Sequence, residues 1–431
     1  MTVFSKTKYH LQSLCCGTVL ADQYWELYCP NTAERGLLRA IYDSRQLVVD
    51  QSLQGLYRFS SWLPICKTLN GSAAPVTYKS IALAKELGLT NLYITFNGYW
   101  PEKGAFMSTG TFKECEAYTV CARINNNPEG VMVVASAGNT ARAFAKVCSE
   151  NKIPVLIVVP EDNLNALWFD QEIDPCVKLI AAASGGDYFD AIHLSNLACQ
   201  TAGFYPEGGS KNVARRDGMG TTVLSAVSTI GKIPDYYFQA IGSGTGAIAA
   251  WEANLRFIED GRYGSNKMRL MLSQNAPFLP IKDAWDIDSR DLLPFDDDIA
   301  RHQVELIAAK VLSNRKPTYG IVGGLYDAMK DAGGDIFAVS NEEGANAAEL
   351  FRDLEGNDLE PAAAVAVASL IQAVKEGFVE PDATIMLNVT GGGIVRFKQE
   401  HKITYLKPQL VFPLNPDPQM VQEKIKALFQ N

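Results

Sequence analysis

Continuous apolar runs at 131–136, 154–159 and 177–183 alternate with helically spaced stretches at 141–150 and 188–202. A strand with no polar face must be covered on both sides, which is the pattern of a parallel sheet between two helical layers. A second cycle takes up strands at 236–241, 269–273, 335–340 and 384–389. Helical stretches at 247–260, 300–312, 342–353 and 361–376 separate them, and a strand at 91–96 follows a helical pattern at 80–87. The fold class is α/β: two doubly wound, mainly parallel sheet domains with a small N-terminal appendage. The expected division is an appendage at 1–60, a large domain at 61–105 and 206–402, a small domain at 106–205 and a tail at 403–431.

Four of the loops that close these runs carry residues able to do chemistry. Gly242-Ser243-Gly244-Thr245-Gly246 follows a strand and opens a helix. Its glycines would let backbone N–H groups approach a phosphate, with the helix N-terminus adding a favourable field. The plainer alternative is a tightly packed turn. Ser136-Ala137-Gly138-Asn139-Thr140 also joins a strand to a helix and could hold a carboxylate, or could simply be an N-cap. Lys113 follows a Thr-Gly-Thr-Phe turn and could point into a cleft, where a desolvated amine condenses with carbonyl cofactors. Alternatively it is one more surface lysine. Thr390 precedes Gly391-Gly392-Gly393 at the end of the last strand, or sits in an unremarkable loop.

Charge narrows the partners. Lys plus Arg is 39 against 48 Asp plus Glu, a net charge of −9. Such a chain does not bind nucleic acid or a membrane surface in a general way. The apolar stretch 362–374 is too short to span a bilayer. The 9 cysteines are scattered, without the spacing of a disulfide framework, and no leader segment is evident. The cytoplasm is the expected compartment, and a homo-oligomer, dimer or trimer, the expected assembly.

The order of the four motifs is more telling than any one of them. Thr-Gly-Thr-Phe-Lys113, Ser-Ala-Gly-Asn139-Thr, Gly-Ser-Gly-Thr-Gly246 and Thr390 together resemble the pyridoxal-phosphate enzymes of the tryptophan synthase β type (fold-type II), which include threonine synthase. Further segments resemble the cysteate synthase family of threonine synthase paralogues, linked in methanogens to coenzyme M synthesis. These are Trp62-Leu-Pro64, residues 98–106, Pro206-Glu-Gly-Gly209, residues 212–221 and residues 323–328. The resemblance covers about Ser61 to Lys398.

What it implies is specific. The cofactor is pyridoxal 5′-phosphate, in a cleft between the two sheet domains. Lys113 would hold the cofactor's aldehyde and move protons at Cα. Asn139 would bond the ring 3′-oxygen. Gly242, Ser243, Gly244, Thr245 and Gly246 would cradle the phosphate, and Thr390 would face the ring nitrogen. Ser136, Ala137, Gly138 and Thr140 would grip the substrate carboxylate. The substrates would be O-phospho-L-serine and sulfite, and the products cysteate and phosphate. Both substrates are multiply anionic. An acidic chain needs local cations for them, so Lys103, Arg142, Arg215 and Arg216 are candidate anion-binding residues, with solvated helix-face charge as the alternative.

Other readings remain. One is a threonine synthase acting on O-phosphohomoserine, or β-replacement by another nucleophile. A dinucleotide oxidoreductase built on Gly242–Ala247 lacks the acidic residue that should end the next strand, which closes on Ser273-Gln-Asn275. A silent ligand-binding paralogue fits poorly with the retained Lys113, Asn139 and Thr390. Related threonine synthases often begin with a zinc-like cysteine knuckle. Here Ser13 stands at its first position, while Cys16 and Cys29 remain, so a metal-free remnant is expected.

Overall fold

The uninterrupted apolar runs become the buried strands of two sheets. The computed structural model describes residues 4–23, 25–123 and 130–430. The larger sheet has six strands in the order Gly334–Val339, Arg269–Asn275, Tyr236–Ala240, Thr384–Val389, Asn91–Phe96, Val76–Lys79. All its pairings are parallel except the antiparallel edge strand Val76–Lys79. The smaller sheet has five strands, all parallel, in the order Phe204–Pro206, Val131–Ala135, Val155–Pro160, Val177–Ala182, Leu410–Phe412. Two side-chain clusters cover opposite faces of the large sheet. Leu387 and Ile94 face the Pro361–Lys375 helix, and Leu272 and Met386 face the Thr245–Asp260 helix.

Strand order fixes where a ligand can enter. From Tyr236–Ala240 the chain steps outward to Arg269–Asn275 and Gly334–Val339, whereas Thr384–Val389 lies on the other flank. The winding reverses between Tyr236–Ala240 and Thr384–Val389. Loops at the carboxyl ends of such neighbours diverge and leave a crevice. Those two loops are Gly242–Gly246 and Thr390–Gly393.

The helix Val213–Ile230 joins the two sheet units. It is capped by Asn212, whose side chain accepts from the Ala214 N–H, and buried over residues 213–227. It packs against Lys113–Arg123, where a Cβ on Gly218 would stand 2.4 Å from the Cys115 carbonyl oxygen, so only glycine fits. No apolar periodicity marks this helix in the sequence, because almost every side is covered.

The N-terminal appendage is a three-stranded antiparallel sheet ordered Val19–Leu20, Tyr9–Ser13, Leu38–Tyr42. Buried Arg216 fastens it to the large unit, donating to the Leu38 carbonyl and to Glu252 Oε2 at 2.9 Å. The expected tail at 403–431 is not detached. Leu410–Phe412 extends the small sheet beside Val177–Ala182, and Val421 and Ile425 of the Pro418–Leu428 helix pack with Leu194 and Leu197. The 188–202 helix stops at Ala198, short of Gly203. The 300–312 stretch is a helix Asp297–Leu306, capped by Asp296, followed by a separate turn at Lys310–Leu312. Among the described residues no helix is long and apolar enough to cross a membrane.

Candidate active site

Lys113 is the first residue of the Lys113–Arg123 helix, and the turn before it is stitched to the end of the last large-sheet strand. Thr111 bridges Gly391, Phe112 N–H donates to the Thr390 carbonyl at 2.9 Å, and Gly392 N–H donates to Gly110 O at 3.0 Å. A Cβ on Gly391 would lie 2.8 Å from Gly110 O, so the two loops can meet this closely only without side chains there. This contact carries the lysine into the crevice at the strand-order reversal. Lys113, Asn139, the Gly242–Gly246 loop, Glu360 and Thr390 line one cleft.

The glycine loop opens the Thr245–Asp260 helix. Gly244 holds its N-cap position with φ of 77° and no side-chain cap; Thr245 N–H donates to Ser243 Oγ at 3.4 Å, and the Gly246 and Ala247 N–H groups have no side-chain cap. Ser243 Oγ lies 2.8 Å from Thr245 Oγ1, which lies 2.7 Å from Ser210 Oγ, and Thr318 Oγ1 donates to Ser210 at 3.1 Å. This chain of hydroxyls runs from the loop into the body of the large unit. Bare helix amides and hydroxyl donors suit a phosphate group, and the Lys113 amine in the same cleft suits an aldehyde. The donor set therefore fits pyridoxal phosphate.

The Lys113 ammonium is half-buried, and burial lowers its pKa below the usual lysine range. Glu116, one turn on and fully buried, opposes that effect with Oε2 3.5 Å from Nζ. Its other oxygen accepts from the Thr140 hydroxyl at 2.8 Å and faces Arg215 Nη1 at 3.2 Å. Arg215 Nε donates to Glu207 Oε1 at 2.9 Å, and its Nη2 pairs with Glu207 Oε2. Glu360 caps the Pro361–Lys375 helix and accepts from Asn139 Nδ2 at 3.3 Å; burial raises its carboxyl above the usual range.

Of the expected site residues, Lys113, Asn139, the loop from Gly242 to Gly246 and Thr390 come together. Ser136 and Thr140 flank them with other duties. Ser136 Oγ accepts from the N–H groups of Gly138 and Ala141, the ordinary capping role, and Thr140 turns its hydroxyl to Glu116. Ala137 is held by Asn163, which donates to its carbonyl at 2.7 Å.

Three of the four candidate anion-binding cations are placed elsewhere. Lys103 is exposed, with Nζ 4.1 Å above the Tyr78 ring at the sheet edge. Arg216 is spent on Glu252, Ser210 O and Leu38 O. Arg142 lies close to the site but is consumed by backbone: Nε and Nη2 donate to Thr109 O, Nη1 to Ala166 O at 2.6 Å, and Nη2 to Asn139 Oδ1 at 2.9 Å. One of these bonds fixes the Asn139 side chain. Arg215 alone reaches the Lys113 neighbourhood.

Sequence reasoning missed Glu116, Glu207 and Glu360. Glu360 was detectable as an acid directly before a proline that opens an apolar helix. Glu116 had no signal beyond its spacing of three from Lys113. Among the described residues no group of three or more His, Cys, Asp or Glu side chains is arranged to hold a metal ion.

Comparison with known proteins points to the same cofactor. Residues 82–391 match the family described as pyridoxal-phosphate dependent enzyme. The chain is 48% identical over 394 residues to a cysteate synthase of Methanocorpusculum labreanum, covering 91% of this chain and 94% of that one. It is 46% identical over 419 residues to a cysteate synthase of Methanosarcina acetivorans, covering 97% and 100%. Among solved structures, maize serine racemase superimposes with a TM-score of 0.57 at 16% identity, over 76% of this chain and 92% of that one, which speaks to fold alone.

Proposed function

This chain belongs to the pyridoxal-phosphate dependent enzymes and, within them, to the cysteate synthase family, and from that premise we propose that it converts O-phospho-L-serine and sulfite to L-cysteate and phosphate. The observation that carries the reading is the cleft that brings Lys113, Asn139, Gly242–Gly246 and Thr390 together in a chain this similar to cysteate synthases.

The bound cofactor supplies an electron sink for the carbanion at the substrate Cα. The residues supply the rest. Lys113 holds the cofactor and then, as a free amine, takes the α-proton and later returns it; its depressed pKa favours the unprotonated base. Asn139, fixed by Arg142 and Glu360, would hold the ring 3′-oxygen. The Gly242–Gly246 loop with Ser243 and Thr245 would hold the cofactor phosphate. Thr390, which lines the cleft, would meet the ring nitrogen with a hydroxyl instead of an acid, a partner that would leave that nitrogen essentially neutral and favour loss of a β-substituent over transamination.

The loop of Ser136, Ala137, Gly138 and Thr140 receives the substrate carboxylate, with Ser136 holding its shape. Arg215, beside Lys113's partner Glu116, would meet the phosphate that leaves and the sulfite that enters only by exchanging one of its carboxylate pairings, and sulfite forms the new bond at the β-carbon. Glu116 and Glu207 hold this guanidinium in position.

Purified protein given phosphoserine and sulfite should form cysteate and release phosphate in equal amounts. Threonine from O-phosphohomoserine, with no cysteate, would transfer the chain to the threonine synthase reading.

A further inference from the structure

We propose that Cys16 and Cys29 form a dithiol/disulfide site, a reversible cross-link that a low-molecular-weight disulfide can install at the edge of the N-terminal sheet. Cys16 lies in the turn between Tyr9–Ser13 and Val19–Leu20 and is exposed. Cys29, on the loop that leads to Leu38–Tyr42, is buried with Leu11, Leu38, Ala40 and Val213. Their sulfurs stand 3.6 Å apart. A disulfide needs about 2.05 Å, so closure asks for a movement of about 1.5 Å, within reach of side-chain rotation.

The local chemistry favours attack by Cys16. The Ser13 and Thr18 hydroxyls lie 3.3 and 3.2 Å from its sulfur. With the Thr18 backbone, these groups lower the Cys16 thiol to about 6, and its exposure opens it to an incoming disulfide while Cys29 is buried. Cys15, its neighbour, instead directs its thiol to the Glu34 carbonyl at 3.5 Å.

A second pair in the same chain shows why distance is not enough. Cys121 and Cys148 are also 3.6 Å apart, yet both are fully buried, and burial pushes the Cys148 thiol well above its usual value. Cys148 is held as a thiol, and neither sulfur offers a path for an oxidant. The two pairs share a separation and differ in access.

The reaction balances as thiol–disulfide exchange. The Cys16 thiolate attacks one sulfur of a disulfide RSSR, forming Cys16–S–S–R and expelling RS⁻. The Cys29 thiolate then attacks the Cys16 sulfur and expels the second RS⁻. Two protein thiols are oxidised, RSSR is reduced to two RSH, and the protons of Cys16 and Cys29 end on those products. The link fastens the hairpin to the loop that packs on Val213, where the helix bearing Arg215 begins.

The test treats the full-length protein with oxidised glutathione and maps peptides without reduction. The expected result is a Cys16–Cys29 bond with no retained glutathione, reversed by dithiothreitol, while Cys121 and Cys148 stay reduced. Cys29→Ser should leave one glutathione on Cys16, and Cys16→Ser should leave Cys29 unmodified. Wild-type protein that keeps glutathione on Cys16, pairs Cys15 with Cys29, or oxidises Cys121–Cys148 as fast would overturn the proposal. None of these readouts depends on the reaction in the cleft.

Discussion

Lys113 and Glu116 make the sharpest residue-scale test. Lys113→Ala should abolish the cofactor mass that borohydride fixes to wild-type protein and lower turnover by more than about a thousandfold. The pH behaviour of the amine is set by burial, which lowers its pKa, and by Glu116 and Glu207, which raise it against Arg215. Glu116→Gln removes one raising charge. The pKa should therefore fall further, and the pH midpoint for reductive methylation of Lys113 in cofactor-free protein should move to lower pH. An unmoved or rising midpoint would contradict the placement of Glu116. Asp at this position restores the charge with a shorter reach, so Glu116→Asp should recover part of the shift.

At the scale of elements, backbone approach decides what can change. Gly218→Ala places a methyl 2.4 Å from the Cys115 carbonyl, between Lys113–Arg123 and Val213–Ile230. It should cost about 1–3 kcal/mol in a urea melt, the usual range for overpacking. Arg142→Met leaves the Thr109 and Ala166 carbonyls without their donor and frees Asn139, at a cost of about 2–4 kcal/mol for a broken buried network. Because Arg142 faces backbone and not a substrate anion, the variant should weaken cofactor retention more than phosphoserine saturation. These elements also mark where sequence patterning succeeds. The strands at 91–96, 131–136 and 384–389 were legible because their runs are mostly apolar and largely buried. The Val213–Ile230 helix was not, since a helix covered on nearly all sides, with Arg215, Arg216 and Asp217 inside, has no polar face to set a period. The glycine loop and Lys113 were legible as motifs. Glu116 and Arg215 acquire meaning only when two helices distant in sequence are packed together.

For the molecule as a whole, the reversal of winding between Tyr236–Ala240 and Thr384–Val389 gathers the site from segments 113, 139, 242–246, 360 and 390, which alternation alone could not bring into register. The hydroxyl chain from Ser243 through Thr245 and Ser210 to Thr318 extends that gathering beyond the cleft. A phosphate settling on Gly242–Gly246 restrains the first hydroxyl, and each neighbour in turn loses rotational freedom. The consequence is thermodynamic coupling at a distance. Deuterium uptake measured with and without cofactor should slow around residues 209–211 and 318–319 as well as around 242–246, and Thr245→Val should confine the protection to the loop. Cofactor loading would then act as a folding ligand for segments it never touches.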